Sequence, residues 1–314
     1  MENRRFLSIL SEQKILLVII ALGVFLAVRS PYFLTYYNIV NIFSFISIEG
    51  VIVIGMTLLI ILGEIDLSVG ATMALSCIVA IMMQRWGVLA GVLSGLVCGM
   101  GVGLVNGFLV TKFRLSSIPV TLGMMVFLNG LVLALTNGQS VKGDNAAFMK
   151  IAQPVAFSIS GSVIIFVLLI VIFQIVLRRT VFGRNIYAVG GNITASKFFG
   201  INVNRIRVIC FVITGFFAGL AGVLLASKIN VASARLGVNS ALLVITAVLL
   251  GGVSLSGGEG SIYKAFQGLL LIGVLNNAMV LLQLSSFIQD MTRGAVLIII
   301  LIVDAMYVTR AKFR

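Results

Sequence analysis

The chain contains no histidine among its 314 residues. That excludes histidine-based nucleophilic catalysis, histidine metal ligation and histidine proton relays. Only three cysteines occur, Cys77, Cys98 and Cys210. All three lie inside apolar runs, so no disulfide framework or redox compartment is implied. Charge is equally scarce: charged residues make up 10% of the chain, where a soluble domain carries about a quarter. No G-x-x-x-x-G-K-[ST] phosphate loop occurs anywhere, so this chain cannot hydrolyse ATP by itself. The ten-residue polar/apolar alternation of a membrane β-barrel is absent as well.

What is present is apolar sequence, 60% of all residues, with a mean hydropathy of +1.20. It comes in repeated stretches close to the ~20 residues that span a bilayer as a helix. The fold class is therefore an all-α integral membrane bundle. Ten spans are expected, at about 15–33, 41–62, 68–84, 88–110, 117–136, 161–177, 208–226, 240–252, 265–283 and 294–308. Arg4 and Arg5 ahead of Ile15–Val28 resemble a secretory signal, but no A-x-A site follows, and a retained first span is expected. The net charge of +13 fits basic loops that orient a membrane protein, and nucleic acid is not an expected partner. With the N-terminus inside, the inner segments hold most of the 22 basic residues, among them Lys112, Arg114, Arg178, Arg179, Arg184, Lys197, Arg205 and Arg207. Both termini are predicted to be cytoplasmic.

Two connections are long: an outer loop at 137–160 and a basic inner one at about 178–207. Neither could form a separate domain, so residues 1–314 read as one transmembrane domain. Span four carries Gly91, Gly95, Gly99, Gly103 and Gly107 at a strict four-residue spacing, a predicted packing seam. Gly215, Gly219 and Gly222 read the same way. Two short echoes exist. Leu62–Gly70 resembles Leu250–Gly258, and Leu115-Ser116-Ser117 matches Leu284-Ser285-Ser286. Only the second pairing is what two inverted five-helix halves would give; the first implies a different offset, so both cannot report one duplication.

Polar residues in such a bundle are candidates for a solute path. Glu64 and Asp66, with Ser68, lie in a glycine-flanked break between two apolar runs; Glu49 lies inside span two and Asp304 near the end of span ten. Asp66 or Ser68 alternatively caps span three. Asn129, Asn276 and Asn277 are further candidates, or else interhelical hydrogen-bonding residues. In the inner loop, Asn192 is a good N-cap and Gly200 a good terminator, predicting a helix over 193–199. A helix that short needs a partner surface. Phe198 and Phe199 offer an apolar patch for folding back on the bundle or docking into another protein.

Three runs carry a family resemblance: Gly63-Glu64-Ile65-Asp66-Leu67-Ser68-Val69-Gly70, then Gly183-Arg184-Asn185-Ile186-Tyr187-Ala188-Val189-Gly190-Gly191-Asn192 with Gly200, then Gly251–Gly258. In this order, and over essentially the whole chain, they resemble the permease subunit of bacterial ABC importers for ribose and related sugars. The resemblance implies a bundle like the vitamin B12 importer permease, working as a homodimer or heterodimer in the bacterial inner membrane. It implies a separate ABC ATPase, which carries ATP and Mg, and an extracytoplasmic solute-binding protein. No cofactor is expected on this chain. Arg184, Asn185, Gly190, Gly191, Asn192, Lys197, Phe198, Phe199 and Gly200 would then couple to the ATPase. Leu255–Glu259, which resembles the signature motif of ABC ATPases, is coincidental without a phosphate loop. One departure stands out. Many sugar permeases of the family carry Glu-Leu-Asp where this chain has Ser240, Ala241 and Leu242, which leaves the solute open among pentoses, hexoses and furanose-like molecules. An ion-coupled transporter using Glu49, Glu64, Asp66 or Asp304, and a passive channel, are the alternatives from other classes.

Overall fold

The computed structural model describes residues 14–312; Arg4 and Arg5 lie outside them, as do the side chains of Asp304 and Arg310. The chain is built of helices α1 (Lys14–Arg29), α2 (Tyr36–Ile61), α3 (Val69–Met83), α4 (Val88–Lys112), α5 (Ser117–Thr136), α6 (Ala146–Met149) and α7 (Gly161–Arg179). There follow α8 (Val181–Gly191), α9 (Ile193–Phe198), α10 (Val203–Ile229), α11 (Ser240–Leu250), α12 (Ile262–Leu281) and α13 (Ser286–Lys312). Among the described residues, seven are long and apolar enough to cross a membrane: α2, α3 with its 3-10 extension to Trp86, α4, α5, α7, α10 and α12. α1 and α11 are shorter apolar helices.

α2 is the hub. From Ser47 to Ile61 nearly every residue is buried, because the helix is apolar on all sides and α7, α10, α11 and α12 pack around it. Gly50 permits this closure: a Cβ there would stand 2.4 Å from the Phe166 ring and 2.8 Å from Leu269. The predicted glycine seam on α4 meets its counterpart on α10. A Cβ on Gly99 would lie 2.3 Å from the Gly215 carbonyl, and one on Gly103 would lie 2.3 Å from the Phe211 carbonyl. Backbones this close leave no room for a side chain, which is why the four-residue spacing occurs. Gly222, one turn on, packs α10 against Met73 and Cys77 of α3 instead.

The loop at 137–160, expected on the outer side, is folded, not loose. Asn145 caps α6 by accepting from Ala147 N and Phe148 N, and Phe148 is wholly buried beneath it. Ser227 Oγ donates to Phe148 O at 2.7 Å and accepts from Ala152 N at 3.0 Å. Two-residue strand β1 (Val141–Lys142) pairs antiparallel with β4 (Val231–Ala232), and β2 (Pro154–Ala156) pairs with β3 (Ile159–Ser160). Leu115-Ser116-Ser117 opens α5 on one face of the bundle and Leu284-Ser285-Ser286 opens α13 on the other, the arrangement inverted halves require.

Candidate functional site

On the face carrying α8 and α9, three glycine-bearing runs that are far apart in sequence close on one another. α2 ends at Ile61 in a left-handed turn: Gly63 has φ +83°, and Glu64 N donates back to Leu59 O at 2.8 Å. α11 ends in the same turn, with Gly252 at φ +81° and Val253 N donating to Val248 O at 3.3 Å. The structural counterpart of Gly63 is therefore Gly252, one residue out of register with the sequence echo, which pairs Gly63 with Gly251. Gly258 N then donates to Ile61 O at 2.7 Å. Gly190, at the end of α8, presses into this pair: a Cβ on it would stand 1.8 Å from Ile61 O and 2.7 Å from Gly258 N. A Cβ on Gly257 would stand 2.8 Å from Gly190 O. Tyr187 Oη donates to Gly260 O at 2.7 Å. Burial pushes the Tyr187 phenol above its ordinary value, so it stays a donor at physiological pH.

α8 itself was not expected as a helix. Thr180 caps it by accepting from Gly183 N at 3.1 Å, and Ile186 and Val189 are buried against the bundle. Thr180 followed by Phe182, Ile186 and Val189 at helical spacing is the signal that could have found it. Its candidate coupling residues divide accordingly: Arg184 is exposed, Asn185 half-buried, and Gly190 turned into the junction. α9 matches expectation. Asn192 Oδ1 accepts from Ala195 N at 2.9 Å, and Gly200 ends the helix at φ +77°. Gly191 and Lys197 are exposed, and Phe198 and Phe199 are 87% and 85% exposed. The two aromatics therefore do not fold back on the bundle.

The break between α2 and α3 is fully bonded. Glu64 pairs with Arg207 in the second turn of α10 at 2.9 Å. Asp66 accepts from Ser68 N at 2.8 Å, Ser68 Oγ at 2.6 Å and Asn106 Nδ2 at 3.2 Å. Ser117 and Thr121 of α5 take the amides of Ile65 and Leu67 at 3.2 and 3.0 Å. Asp66, Ser68 and Asn106 are all buried, so this carboxylate caps a turn and holds three helices together. Asn106 and Thr121 were not singled out from sequence, and Ser117 and Arg207 were named there only for an echo and for loop charge, not as site residues. Asn106→Leu is expected to lower the melting temperature of the detergent-purified protein, because a lost donor to a buried carboxylate costs about 1–3 kcal/mol. An unchanged melting temperature would remove Asn106 from this role.

Glu49 belongs to a second polar group, deeper in the bundle. It lies near the middle of α2 and accepts from Ser240 Oγ at 2.7 Å, while its other oxygen is buried without a partner. Ser240 begins α11, whose eleven residues rise about 16 Å, half the ~30 Å hydrocarbon core. The segment before it enters the bundle as irregular backbone, and Gly237 meets Gly70 at the start of α3 so closely that a Cβ on Gly70 would lie 2.1 Å from Gly237 O. Irregular backbone at such depth is tolerated where protein buries it or a cavity adjoins it. A cavity of about 180 Å³ adjoins it here, lined by Asn239, Leu242, Asn276, Asp290 and Arg293 among others. Arg293 donates to Asn276 Oδ1 and pairs with Asp290 at 3.0 Å. Asn277 instead makes a reciprocal amide pair with Asn38, at 2.7 and 3.0 Å, that ties α12 to α2. Asn129 is half-buried on α5 and joins neither group. Among the described residues no cluster of His, Cys, Asp and Glu suited to a metal ion occurs.

The described architecture is an all-α membrane bundle, and comparison with known proteins gives its family. The family described as the branched-chain amino acid transport system permease component matches residues 38–301. The chain is 36% identical to the L-arabinose ABC transporter permease protein AraH of Azospirillum brasilense, over 95% of this chain and 88% of that protein. It is 37% identical to the ribose import permease protein RbsC of Bacillus subtilis, over 90% and 89%. Against RbsC of Escherichia coli K12 the identity is 35%, over 94% of each chain. No solved structure matches. The chain belongs to this family of ABC-transporter permease components, whose members are membrane subunits and not enzymes themselves.

Proposed function

We propose that this chain is the membrane subunit of an ATP-driven importer that carries a small sugar across the bacterial inner membrane. The observation that carries the proposal is α9: a capped six-residue helix with Phe198 and Phe199 exposed at its end, directly following α8, whose Gly190 and Tyr187 sit in the junction. Exposed aromatic anchors are common at protein interfaces, and a separate ATPase that binds ATP and Mg is the partner this surface suits. Docking there would move α8 and α9 together, and the Gly190–Ile61–Gly258 contact would pass that motion to the ends of α2 and α11. Both of those helices also bear on the Glu49–Ser240 contact. That contact and the cavity beside Asn276 and Arg293 form the proposed solute path, fed by a solute-binding protein and completed by a second permease copy or paralogue. Both termini lie on the ATPase side in this arrangement.

A pentose, or a related hexose or furanose-like molecule, is favoured as solute because the high-coverage relatives are named for ribose and arabinose. The family description names branched-chain amino acids, so these are the competing solute class. Uptake of labelled ribose and arabinose against labelled leucine separates the two.

The docking surface is tested by copurifying the tagged protein from native membranes with and without Phe198→Asp and Phe199→Asp. An ATPase subunit is expected with the wild type and is expected to be lost from the double variant. If no ATPase associates even after crosslinking, the importer reading fails. Glu49, whose Oε2 has no partner, then becomes the first residue to test for ion coupling.

A further inference from the structure

From Ile151 to Leu177 the chain carries no charged residue; Lys150 and Arg178 bound the run. α7 takes up its last part and ends in Arg178 and Arg179. Its 19 residues rise about 28 Å, close to the ~30 Å of the hydrocarbon core. With the two arginines at one water boundary, Gly161 must stand at the other. The β2–β3 hairpin ends at Ser160, directly before Gly161. It therefore lies at headgroup level, at the end of α7 away from α8 and α9.

The hairpin turn goes against ordinary turn chemistry. Ala156 pairs with Ile159, which leaves Phe157 and Ser158 as the two central residues. Their φ values are +49° and +58°. Asn-Gly suits such a turn, whereas a Cβ strains both positions. The Phe157 side chain is 85% exposed and that of Val155 is exposed as well. In water the conformation and the bare ring would both be unfavourable. The tip is nevertheless held in place, because Tyr36 Oη donates to the Phe157 carbonyl. Tyr37, whose ring meets that of Tyr36 edge to face at 6.0 Å, is exposed, and so is Tyr32 one turn earlier.

What covers this patch is indicated by the surface that continues from it. Ile164, Val167, Leu168, Val171 and Ile175 are exposed along one face of α7, a helix long and apolar enough to cross a membrane. That face starts one turn beyond the hairpin. Aromatic rings with a polar tip are favoured where hydrocarbon gives way to headgroups, and Phe enters the same layer from amphipathic segments. We propose that the hairpin is an interfacial membrane anchor. Phe157 and Val155 enter the headgroup layer of the adjacent leaflet, beside Tyr32, Tyr36 and Tyr37. The loop at 137–160 is then pinned on both sides, by lipid at its tip and by Ser227 at Phe148 and Ala152. The anchor rests on the membrane fold and not on the solute or ATPase reading.

The test uses the full-length protein in lipid nanodiscs. Trp86 is the single tryptophan, so Trp86→Phe gives a dark background for Phe157→Trp. Lipids brominated near the headgroup are expected to quench at least half of the emission, and soluble iodide very little. Phe198→Trp in the same background is the control, since Phe198 is equally exposed, at 87%, but lies on α9. It should respond to iodide and not to bromolipid. Iodide quenching without bromolipid quenching at position 157 would overturn the anchor. Protection from iodide only after a solute-binding protein is added would overturn it too, and would assign the hairpin to a protein contact. Phe157→Asn with Ser158→Gly supplies an independent measurement, because it relaxes the turn while removing the ring. Its melting temperature in detergent should equal or exceed that of the wild type, yet protease should cut the loop at 137–160 several-fold faster in nanodiscs. Equal cleavage of the two proteins would also overturn the proposal.

Discussion

A Gly190→Val variant is expected to lose most of its folded population in detergent, by about 4 kcal/mol or more. A Cβ at this position would lie 1.8 Å from the Ile61 carbonyl oxygen and 2.7 Å from Gly258 N. Both neighbours are backbone, so neither can rotate away. Relief requires separating α8 from the end of α2, which breaks the 2.7 Å bond from Gly258 N to Ile61 O. The carbonyl and the amide are then both left without partners in the junction, at about 1–3 kcal/mol each. Overpacking adds about 1–3 kcal/mol more. Gly191→Ala is the control, because its Cβ would meet nothing within 4 Å although it is the very next residue. Fluorescence-detected gel filtration and thermal melting of the two variants side by side measure the difference. Equal melting of Gly190→Val and wild type would mean that α8 is not seated in the junction.

The same geometry explains why the three glycine-bearing runs occur together. Each supplies a different part: Gly63 and Gly252 reverse the chain after a helix, Gly190 permits contact, and Gly257 and Gly258 carry the loop across it at positive φ. From the sequence these runs were evident as motifs and their order as a family pattern. Their meeting was not legible, because nothing local in Ile61, Gly190 or Gly258 specifies a partner more than sixty residues away.

Much of the helical framework was legible. Ser117–Thr136 was read to the residue, because Ser116 and Asn137 bound a continuous apolar run. α2 begins at Tyr36 and not near 41, since Thr35 accepts from Asn38 N and two tyrosines open the helix with low apolarity. α10 likewise begins at Val203, where Asn202 caps it and Arg205 and Arg207 dilute the hydropathy of its first turns. The shortness of span 240–252 was correctly read. Its cause, an irregular approach that starts α11 beside Glu49 near the middle of α2, is tertiary and left no local mark. For the same reason Glu64 and Asp66, two residues apart and alike in chemistry, could not be told apart. One reaches out to Arg207 beside a cleft, and the other is saturated by Ser68 and Asn106.

That difference leads to the largest functional effect expected here. Glu64→Gln and Arg207→Gln should each abolish at least nine-tenths of ATP-driven uptake while the ATPase still copurifies. Arg207 lies in the second turn of α10, just beyond α9, and Glu64 follows directly on the end of α2. Both line a cavity of about 930 Å³, and the 2.9 Å ion pair joins them beside it, at the end of the packed α2–α10 contact. The partners' side chains are only 21% and 7% exposed, so screening is incomplete. Removing one partner from a fully buried pair costs about 3–5 kcal/mol, and this site at the cleft edge should give roughly 2 kcal/mol. The exchange Glu64→Arg with Arg207→Glu restores opposite charges and should recover both melting temperature and uptake in part. Stability and uptake must be read together, because they separate a strut from a coupler. If the single variants melt early but transport normally once reconstituted, the pair only braces the fold. If they fold normally and hydrolyse ATP without uptake, and the exchange recovers uptake, the pair transmits the motion of α9 to α2.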